Sequence, residues 1–190
     1  MTDWAEIARV ACNTHGASQR PSELGEALEL IASIKPNVIV EIGCDVGGTL
    51  FAWCQVCPYV YGITLADNSY NTGGQGQPLV THGATVHVGD SHDPASLDWL
   101  TGQLSGRPAD VLVIDGDHLV DGVHADLAMY GPLIRPGGLI LLHDIASVGD
   151  PRAEVWKVWP ELAERYETTE IRDPAHAYGW GVIHVGGGER

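Results

Sequence analysis

The sequence predicts an α/β protein of the Rossmann-like, doubly wound kind: a mostly parallel seven-stranded sheet with an antiparallel edge strand and helices on both faces. Three observations predict this class. Short apolar stretches alternate with helical stretches along most of the chain, which is the pattern of βαβ units. Residues 38–50 run from β-branched residues through glycines into a helical stretch, an arrangement that begins a nucleotide-type pocket. The last two apolar stretches lie too close together for a helix between them, which favours an antiparallel pair.

The elements follow in order along the chain. Two helices are expected first, over residues 3–12 and 22–34, with Ser22 as the N-cap of the second and Pro36 just beyond its end. Strands are then expected over residues 38–42, 59–65, 85–88, 110–114, 139–142, 168–171 and 180–185, and helices over residues 49–57, 94–104, 120–133 and 151–165. Residues 67–83 are rich in Asn, Gly, Gln and Pro, and we expect them to form a long functional loop.

Length and composition indicate one core domain and a small-molecule partner. Residues 37–185 are expected to form this domain, with a helical segment over residues 1–36 packing on it and a flexible tail over residues 186–190. The net charge is -15, with only 10 Lys and Arg residues, so the field of the protein repels nucleic acid. No apolar run reaches the roughly 18 residues of a membrane span, and the polar N-terminus lacks a signal-peptide pattern. A cytoplasmic protein without a membrane partner is therefore expected.

Several side chains are expected to be structural. The cysteines, which include an isolated CxxC at Cys54 and Cys57, are predicted to be buried thiols because no second ligand pair follows at zinc-site spacing. Trp156 and Trp159 are expected in the core or at an interface, and they leave room for a homodimer. Surface or loop positions are expected for His82, His87, His92, His124 and Asp126.

The glycine-rich turn after the first strand is the most informative local pattern. In VIVEIGCDVGGTL, Glu41 lies at the end of the strand, where its carboxylate can accept hydrogen bonds from an amine or hydroxyl. Gly43 and Gly47 are four residues apart, and Asp45 occupies the position of the middle glycine of GxGxxG. This is not the dinucleotide fingerprint, and no YxxxK pair follows the fifth strand. A nicotinamide oxidoreductase is therefore a weak interpretation.

Polar residues follow five successive strands of the predicted sheet. In parallel α/β sheets, ligands bind outside the carboxyl ends of the strands. A carboxylate at the tip of a core strand adds nothing to stability unless something pairs with it. We therefore predict a polar cleft at this edge of the sheet. The residues at the strand ends are, in strand order, Glu41; Thr64 and Asp67; Gly89, Asp90 and Ser91; Asp115, Asp117 and His118; and His143 and Asp144.

The ends of the fourth and fifth strands carry the most reactive group. Asp115 or Asp117, together with Asp144, offers the hard oxygen ligands that suit Mg²⁺ or another hard divalent cation. His118 or His143 then serves as a general base or as an additional ligand. The alternative is structural: Asp117 caps the helix that follows it, and His143 packs in the core.

Four segments in this order resemble one group of class I S-adenosylmethionine-dependent methyltransferases. They are VIVEIGCDVGGT, VGDSHD, IDGDHLVDGVHADL and IRPGGLILLHDI. The group is described by an IDGDH…PGG…HD pattern and is related to cephalosporin-hydroxylase-type and macrolide-sugar O-methyltransferases. The resemblance spans roughly residues 22–185 and implies both the Rossmann-like fold and the cofactor.

The resemblance also implies roles for particular residues. S-adenosyl-L-methionine is the implied cofactor, and metal-dependent relatives hold Mg²⁺. The implied cofactor contacts are Glu41 and Gly43 for the methionine and ribose parts, with Gly47 and Thr49 of the same turn, Asp90 and Ser91 for adenine, and Asp115 near the methyl group. Asp115 and Asp144 match the acids that hold Mg²⁺, and His118 is similar to the proposed base. Thr64 replaces the usual ribose-binding acid, and Asp67, three residues further on, is its candidate substitute.

The leading hypothesis is a methyltransferase that uses S-adenosylmethionine to O-methylate a small hydroxylated molecule, a sugar or a secondary metabolite, with metal assistance. The alternative is a scaffold or subunit of a biosynthetic assembly that keeps the cofactor pocket but transfers no methyl group. The paired IDGDH and HD motifs favour the enzyme, because a protein that only binds has no need of them.

Overall fold

The computed structural model describes residues 2–65 and 78–186. Its centre is a seven-stranded sheet in the order β3-β2-β1-β4-β5-β7-β6. The strands are β1 (Val38–Ile42), β2 (Tyr59–Thr64), β3 (Thr85–Val88), β4 (Ala109–Ile114), β5 (Ile134–His143), β6 (Thr168–Ile171) and β7 (Trp180–His184). Strands β1 to β5 pair in parallel. β7 runs antiparallel to both of its neighbours, β5 and β6. The predicted fold class is confirmed. The strand that runs antiparallel to its neighbours is β7, which is the second strand from the edge of the sheet.

Helices cover both faces of this sheet. In the described residues they are α1 (Trp4–His15), α2 (Pro21–Ser33), α3 (Gly48–Val56), α4 (Pro94–Leu104), α5 (Val120–Tyr130) and α6 (Val155–Arg165), with a 3₁₀ turn at Gly131–Leu133. One apolar core combines α1 to α3 with side chains such as Ile39 and Val111, and the other combines α4 to α6 with Val40 and Leu112. The division of the chain into domains remains a prediction.

Several element boundaries differ from the sequence prediction. The N-cap of α2 is Arg20 rather than Ser22, because Pro21 has the fixed φ that suits the first helical turn. α6 begins at Val155 rather than at residue 151, since the backbone N–H of Glu154 is bound by the carbonyl of His118, 2.7 Å away. β5 begins at Ile134 rather than at residue 139, so residues 136–138 lie inside the strand.

Glycine makes this long β5 strand possible. Gly137 has a φ of +76°, and a Cβ at Gly138 would collide with the carbonyl oxygen of Asp110. The pairing of β4 with β5 shifts register here, between Ala109 and Val111. A turn-forming sequence is thus accommodated as an irregularity of the strand.

The prediction of buried thiols holds for two of the four cysteines. All four cysteines are free, with Cys44 and Cys57 buried and Cys12 and Cys54 half-buried. Among residues 2–65 and 78–186, none of the helices has the length and apolar character needed to cross a bilayer. Trp159 is buried in the second core, as expected.

Candidate active site

A cavity of about 1000 Å³ lies at the carboxyl ends of the parallel strands. It lies where the sequence predicted a cleft. Of the residues proposed for the site, the cavity is lined by Gly43, Thr49, Thr64, Asp90, Ser91, Asp115, Asp117, His118, His143 and Asp144. Asp67 lies outside the described residues, so its predicted ribose contact remains a prediction.

The glycine turn brings the end of β1 against the end of β4. Gly43 has a φ of +87°, and a Cβ there would collide with the backbone of Asp115 and Gly116. Only glycine permits this close approach. A Cβ at Gly47 would collide with the carbonyl oxygen of Val80, so Gly47 is covered by that segment and is not part of the cavity wall. The turn therefore supports the cavity from two sides.

Glu41 lies behind the glycine turn and does not line the cavity. Its side chain is fully buried, with Oε1 accepting a hydrogen bond from Trp53 Nε1 at 2.8 Å. Oε2 is buried without a hydrogen-bond partner. Burial raises the pKa of Glu41 to about 8, although the Trp53 hydrogen bond opposes this rise. Glu41 is thus protonated over much of the acidic and neutral range.

Four side chains from β4, β5 and the residues just after them meet at the cavity wall. His118 Nδ1 lies 3.0 Å from Asp144 Oδ2, and His118 Nε2 lies 4.0 Å from Asp115 Oδ1. His143 Nδ1 lies 3.2 Å from the same Asp115 oxygen. Asp115, His118 and Asp144 offer ligand atoms that all lie within 4.8 Å of one another. They form the single potential metal-ligand group found in the described part of the chain.

Charge pairing dominates the titration of this group. Burial would lower the pKa of His118, but the hydrogen bond to Asp144 and the charge of Asp115 raise it to about 9. Burial also works against protonation of His143, yet Asp115 raises its pKa above the usual range. Burial would raise the pKa of Asp144, but the His118 hydrogen bond and the charges of both histidines hold it below its usual range.

The backbone at Asp144 is in the left-handed region, with a φ of +65°. This conformation is uncommon outside glycine. The side chain is also held by Ser147 Oγ, which lies 3.1 Å from Asp144 Oδ1. The fold therefore fixes Asp144 at the turn that leaves β5, with Oδ2 directed to His118.

Asp117 takes a different position from the one proposed for a metal ligand. Its Oδ1 accepts a hydrogen bond from the backbone N–H of Leu119 at 2.9 Å. A Cβ at Gly122 would collide with the Asp117 carboxylate, so this side chain lies over the first turn of α5. Asp117 lines the cavity but is not a member of the Asp115, His118 and Asp144 group.

The segment after β3 forms the opposite wall of the cavity. The Asp90 side chain is 61% exposed, and its Oδ1 accepts from the backbone N–H of His92 at 2.9 Å. Tyr130 of α5 donates its hydroxyl to the carbonyl oxygen of Ser91 at 2.6 Å. The Asp90 carboxylate is therefore presented to ligands from a segment that α5 holds in place.

Two residues at this segment, Asp126 and His92, were not predicted to belong to the site. Asp126, expected on the surface of its helix, is fully buried, and one of its oxygens lies 3.4 Å from His92 Nε2. The helical spacing of Val123, Asp126 and Tyr130 was the signal for its burial, because these residues share one face of α5. The neighbouring His124 is exposed, as expected.

Gln19 is the third unpredicted residue of the site. It lies between α1 and α2, is 7% exposed, and donates from Nε2 to Asp115 Oδ2 at 2.6 Å. No local pattern marks it, because the contact joins residues far apart in the chain. Tyr178, whose ring stacks on His143, lines the mouth of the same cavity.

Comparison with known proteins places this site in a family. The family model described as a methyltransferase domain matches residues 40–145, just over half of the chain. This chain belongs to that family. The match runs from β1 through the residues after β5, so it includes the glycine turn and the Asp115, His118 and Asp144 group. The family predicted from the four sequence segments is confirmed.

Curated methyltransferases are similar to this chain over different lengths. Demethylmacrocin O-methyltransferase of Streptomyces fradiae is 30% identical over 101 residues, which cover 52% of this chain and 23% of that protein. Rhamnosyl O-methyltransferase of Mycobacterium bovis is 22% identical over 172 residues, covering 84% of this chain and 69% of that protein. The chain thus spans about a quarter of the first relative's length.

Solved methyltransferase structures share the fold. MycE from the mycinamycin biosynthetic pathway, in complex with Mg, SAH and mycinamycin VI, has a TM-score of 0.66 at 18% identity, covering 97% of this chain and 54% of MycE. TomG from Streptomyces achromogenes, in complex with SAM, has a TM-score of 0.56 at 16% identity, covering 97% and 90%. At these identities the likeness shows a common architecture.

Proposed function

We propose that this methyltransferase uses S-adenosylmethionine to O-methylate a small hydroxylated molecule, with assistance from a divalent cation. One observation carries the proposal. The same cavity is bordered by a glycine turn at the start of a helix and by a group of two carboxylates and two histidines. The first feature suits a cofactor with an amino-acid and a nucleoside part, and the second suits activation of a hydroxyl.

The residues of the cavity fit the cofactor. Gly43 lines the cavity, and Thr49 lies in the first turn of α3, where free N–H groups attract a carboxylate. Asp90 and Ser91 supply the acceptors for an adenine amine on the opposite wall. Behind the turn, Glu41 has a buried oxygen without a partner. Its contribution is therefore to the shape and polarity of the turn.

The group of Asp115, His118 and Asp144 beside the turn fits a hard divalent cation. Asp115 and Asp144 would hold it through carboxylate oxygens, which leaves a ring nitrogen of His118 for the acceptor's proton. When bound, the cofactor supplies a methyl group on a positively charged sulfur, and the cation lowers the pKa of the acceptor hydroxyl.

The chain's own residues must orient the acceptor and handle its proton. His118 is 27% exposed at the cavity, so we propose it as the group that takes the proton. His143 is buried with Nδ1 on Asp115, and its role is to orient that carboxylate. Proton transfer of this kind contributes about 10²–10⁴-fold to a rate.

The size and charge of the site suggest the acceptor class. A cavity of about 1000 Å³ is within the range of small-molecule sites, and the net charge of -15 disfavours nucleic acid. Relatives are named for demethylmacrocin and for rhamnosyl groups. A sugar hydroxyl on a small molecule is accordingly the acceptor we propose.

Two measurements test the proposal in sequence. Isothermal titration with S-adenosylhomocysteine (SAH) is expected to show saturable binding. A methyl-release assay with a panel of glycosides, polyols and phenols, with Mn²⁺ or with chelator, is then expected to show cation-stimulated turnover. Absence of SAH binding would contradict the cofactor assignment. Binding without turnover on any acceptor would favour the alternative, a scaffold that transfers no methyl group. Full activity in chelator would contradict the proposed role of the cation.

A further inference from the structure

Gln19 is a buried polar residue that reaches the cavity from outside the family-matched region. It lies in the connection between α1 and α2, whereas the family match begins at residue 40. Its backbone carbonyl accepts from Cys12 Sγ at 3.2 Å, and its carboxamide donates from Nε2 to Asp115 Oδ2 at 2.6 Å. The N-terminal helices therefore hold a side chain directly on a proposed cation ligand.

The two oxygens of Asp115 have different partners. Oδ2 accepts from Gln19. Oδ1 is the oxygen near the histidines, 3.2 Å from His143 Nδ1 and 4.0 Å from His118 Nε2. Hydrogen bonds to an ionised carboxylate are stronger than those between neutral groups. Gln19 thus fixes the carboxylate so that a single oxygen faces the group that contains Asp144.

The orientation of the Gln19 carboxamide is itself determined by Asp115. Gln19 Oε1 is buried without a hydrogen-bond partner, which is unfavourable for a buried acceptor. The reverse orientation would place Oε1 against the Asp115 carboxylate and would lose the donor. The Gln19–Asp115 hydrogen bond is therefore made although it leaves Gln19 Oε1 without a partner.

We infer that Gln19 is a positioning residue that makes Asp115 a one-oxygen ligand and so selects the cation. Mg²⁺ and similar small cations require near-octahedral geometry, whereas Ca²⁺ accepts carboxylates through one or two oxygens. A carboxylate whose second oxygen is occupied by Gln19 favours the smaller cations. This inference rests on the cation site of the proposed function. It adds that the site selects smaller cations over Ca²⁺.

The test compares Mn²⁺ and Ca²⁺ binding to the full chain by isothermal titration. Gln19→Met and Gln19→Leu both remove the donor, and either variant suffices if the other fails to fold, as judged by circular dichroism. Loss of groups that orient a metal ligand lowers affinity by roughly 10–100-fold. We expect Mn²⁺ binding to weaken by about tenfold and Ca²⁺ binding to change by less than about threefold. Gln55→Met, at an exposed glutamine of α3, is the matched control.

The ratio of the two affinities separates positioning from general damage. Equal weakening of Mn²⁺ and Ca²⁺ binding, or no change in either, would overturn the inference while leaving the cation site in place. A wild-type protein that binds neither cation would overturn both the inference and the cation part of the proposed function. SAH titration of the same sample reports separately on the cofactor part, so the two failures are distinguishable.

Discussion

Glu41→Gln tests whether the acid behind the glycine turn is protonated in the folded protein. Glutamine keeps the shape of the side chain and a carbonyl oxygen that can accept from Trp53 Nε1, as Glu41 Oε1 does at 2.8 Å. It removes only the ionisable proton. Because Glu41 is fully buried, its charged form is poorly solvated in the folded protein, whereas water solvates it in the unfolded chain.

The size of the effect follows from the pKa. Burial raises the pKa of Glu41 from 4.5 to about 8. An acid whose pKa is raised by folding stabilises the protein below its unfolded pKa, and this contribution is lost as the pH rises through the folded pKa. At about 1.4 kcal/mol per pKa unit, wild type should lose about 3 kcal/mol between pH 5 and pH 8 from this group alone.

Urea unfolding of the cofactor-free protein at a series of pH values measures this change. Glu41→Gln should match wild type near pH 5 and be more stable at pH 8, by up to about 3 kcal/mol. Glu26→Gln, at an exposed position of α2, is a control with the same chemistry. If the stability curves of wild type and Glu41→Gln run parallel across this pH range, Glu41 is not a protonated buried acid and the reasoning fails.

Three further predictions concern the cavity. Asp144→Ala should abolish cation-stimulated methyl transfer and change the SAH dissociation constant by less than about threefold, as measured by titration calorimetry, because Asp144 follows β5, two strands away from the β1 strand that precedes the glycine turn; a large loss of SAH binding would contradict this. The affinity for Mn²⁺ should rise as the pH rises from 7 to 9, by up to about tenfold per pH unit, because the pKa of His118 is raised to about 9 and its positive charge beside the site disfavours the cation until the proton is lost; a flat profile would show that the charge of His118 does not act on the cation site. Gly43→Ala should lower the melting temperature and SAH affinity together, since its Cβ would collide with the Asp115 backbone, whereas Gly102→Ala in α4, which has open space around it, should leave SAH affinity unchanged.

The pattern of strands and helices in the sequence predicted most of the fold. Buried β-branched strands, the spacing of the helices and the short interval before Trp180 were enough to predict the sheet and its reversed strand. The boundaries that failed were set by contacts distant in sequence. α6 starts late because the backbone of Glu154 is bound to His118, and β5 runs through Gly137 and Gly138 because its pairing with β4 outweighs their turn preference.

The site was predictable where residues follow the ends of strands. Asp115, His118, His143 and Asp144 meet as expected because neighbouring parallel strands end at one edge of the sheet. Gln19 was not predictable, since its contact with Asp115 depends on how the connection between α1 and α2 packs. The distinction is between positions that the sheet determines and positions that tertiary packing determines.

The pleat of β1 explains why one predicted cavity residue lies behind the wall. Val40 and Ile42 face the core with α4 to α6, so the side chain between them, Glu41, points to the opposite face, where Trp53 of α3 binds it. Asp115 and Asp144 instead follow the last residues of β4 and β5, where the alternation of the strand no longer fixes the side-chain direction. An acid inside β1 is therefore directed into a helical layer, while an acid one position beyond the end of β4 or β5 can face the cavity, and this single-residue difference separates the carboxyl behind the wall from the two that line it.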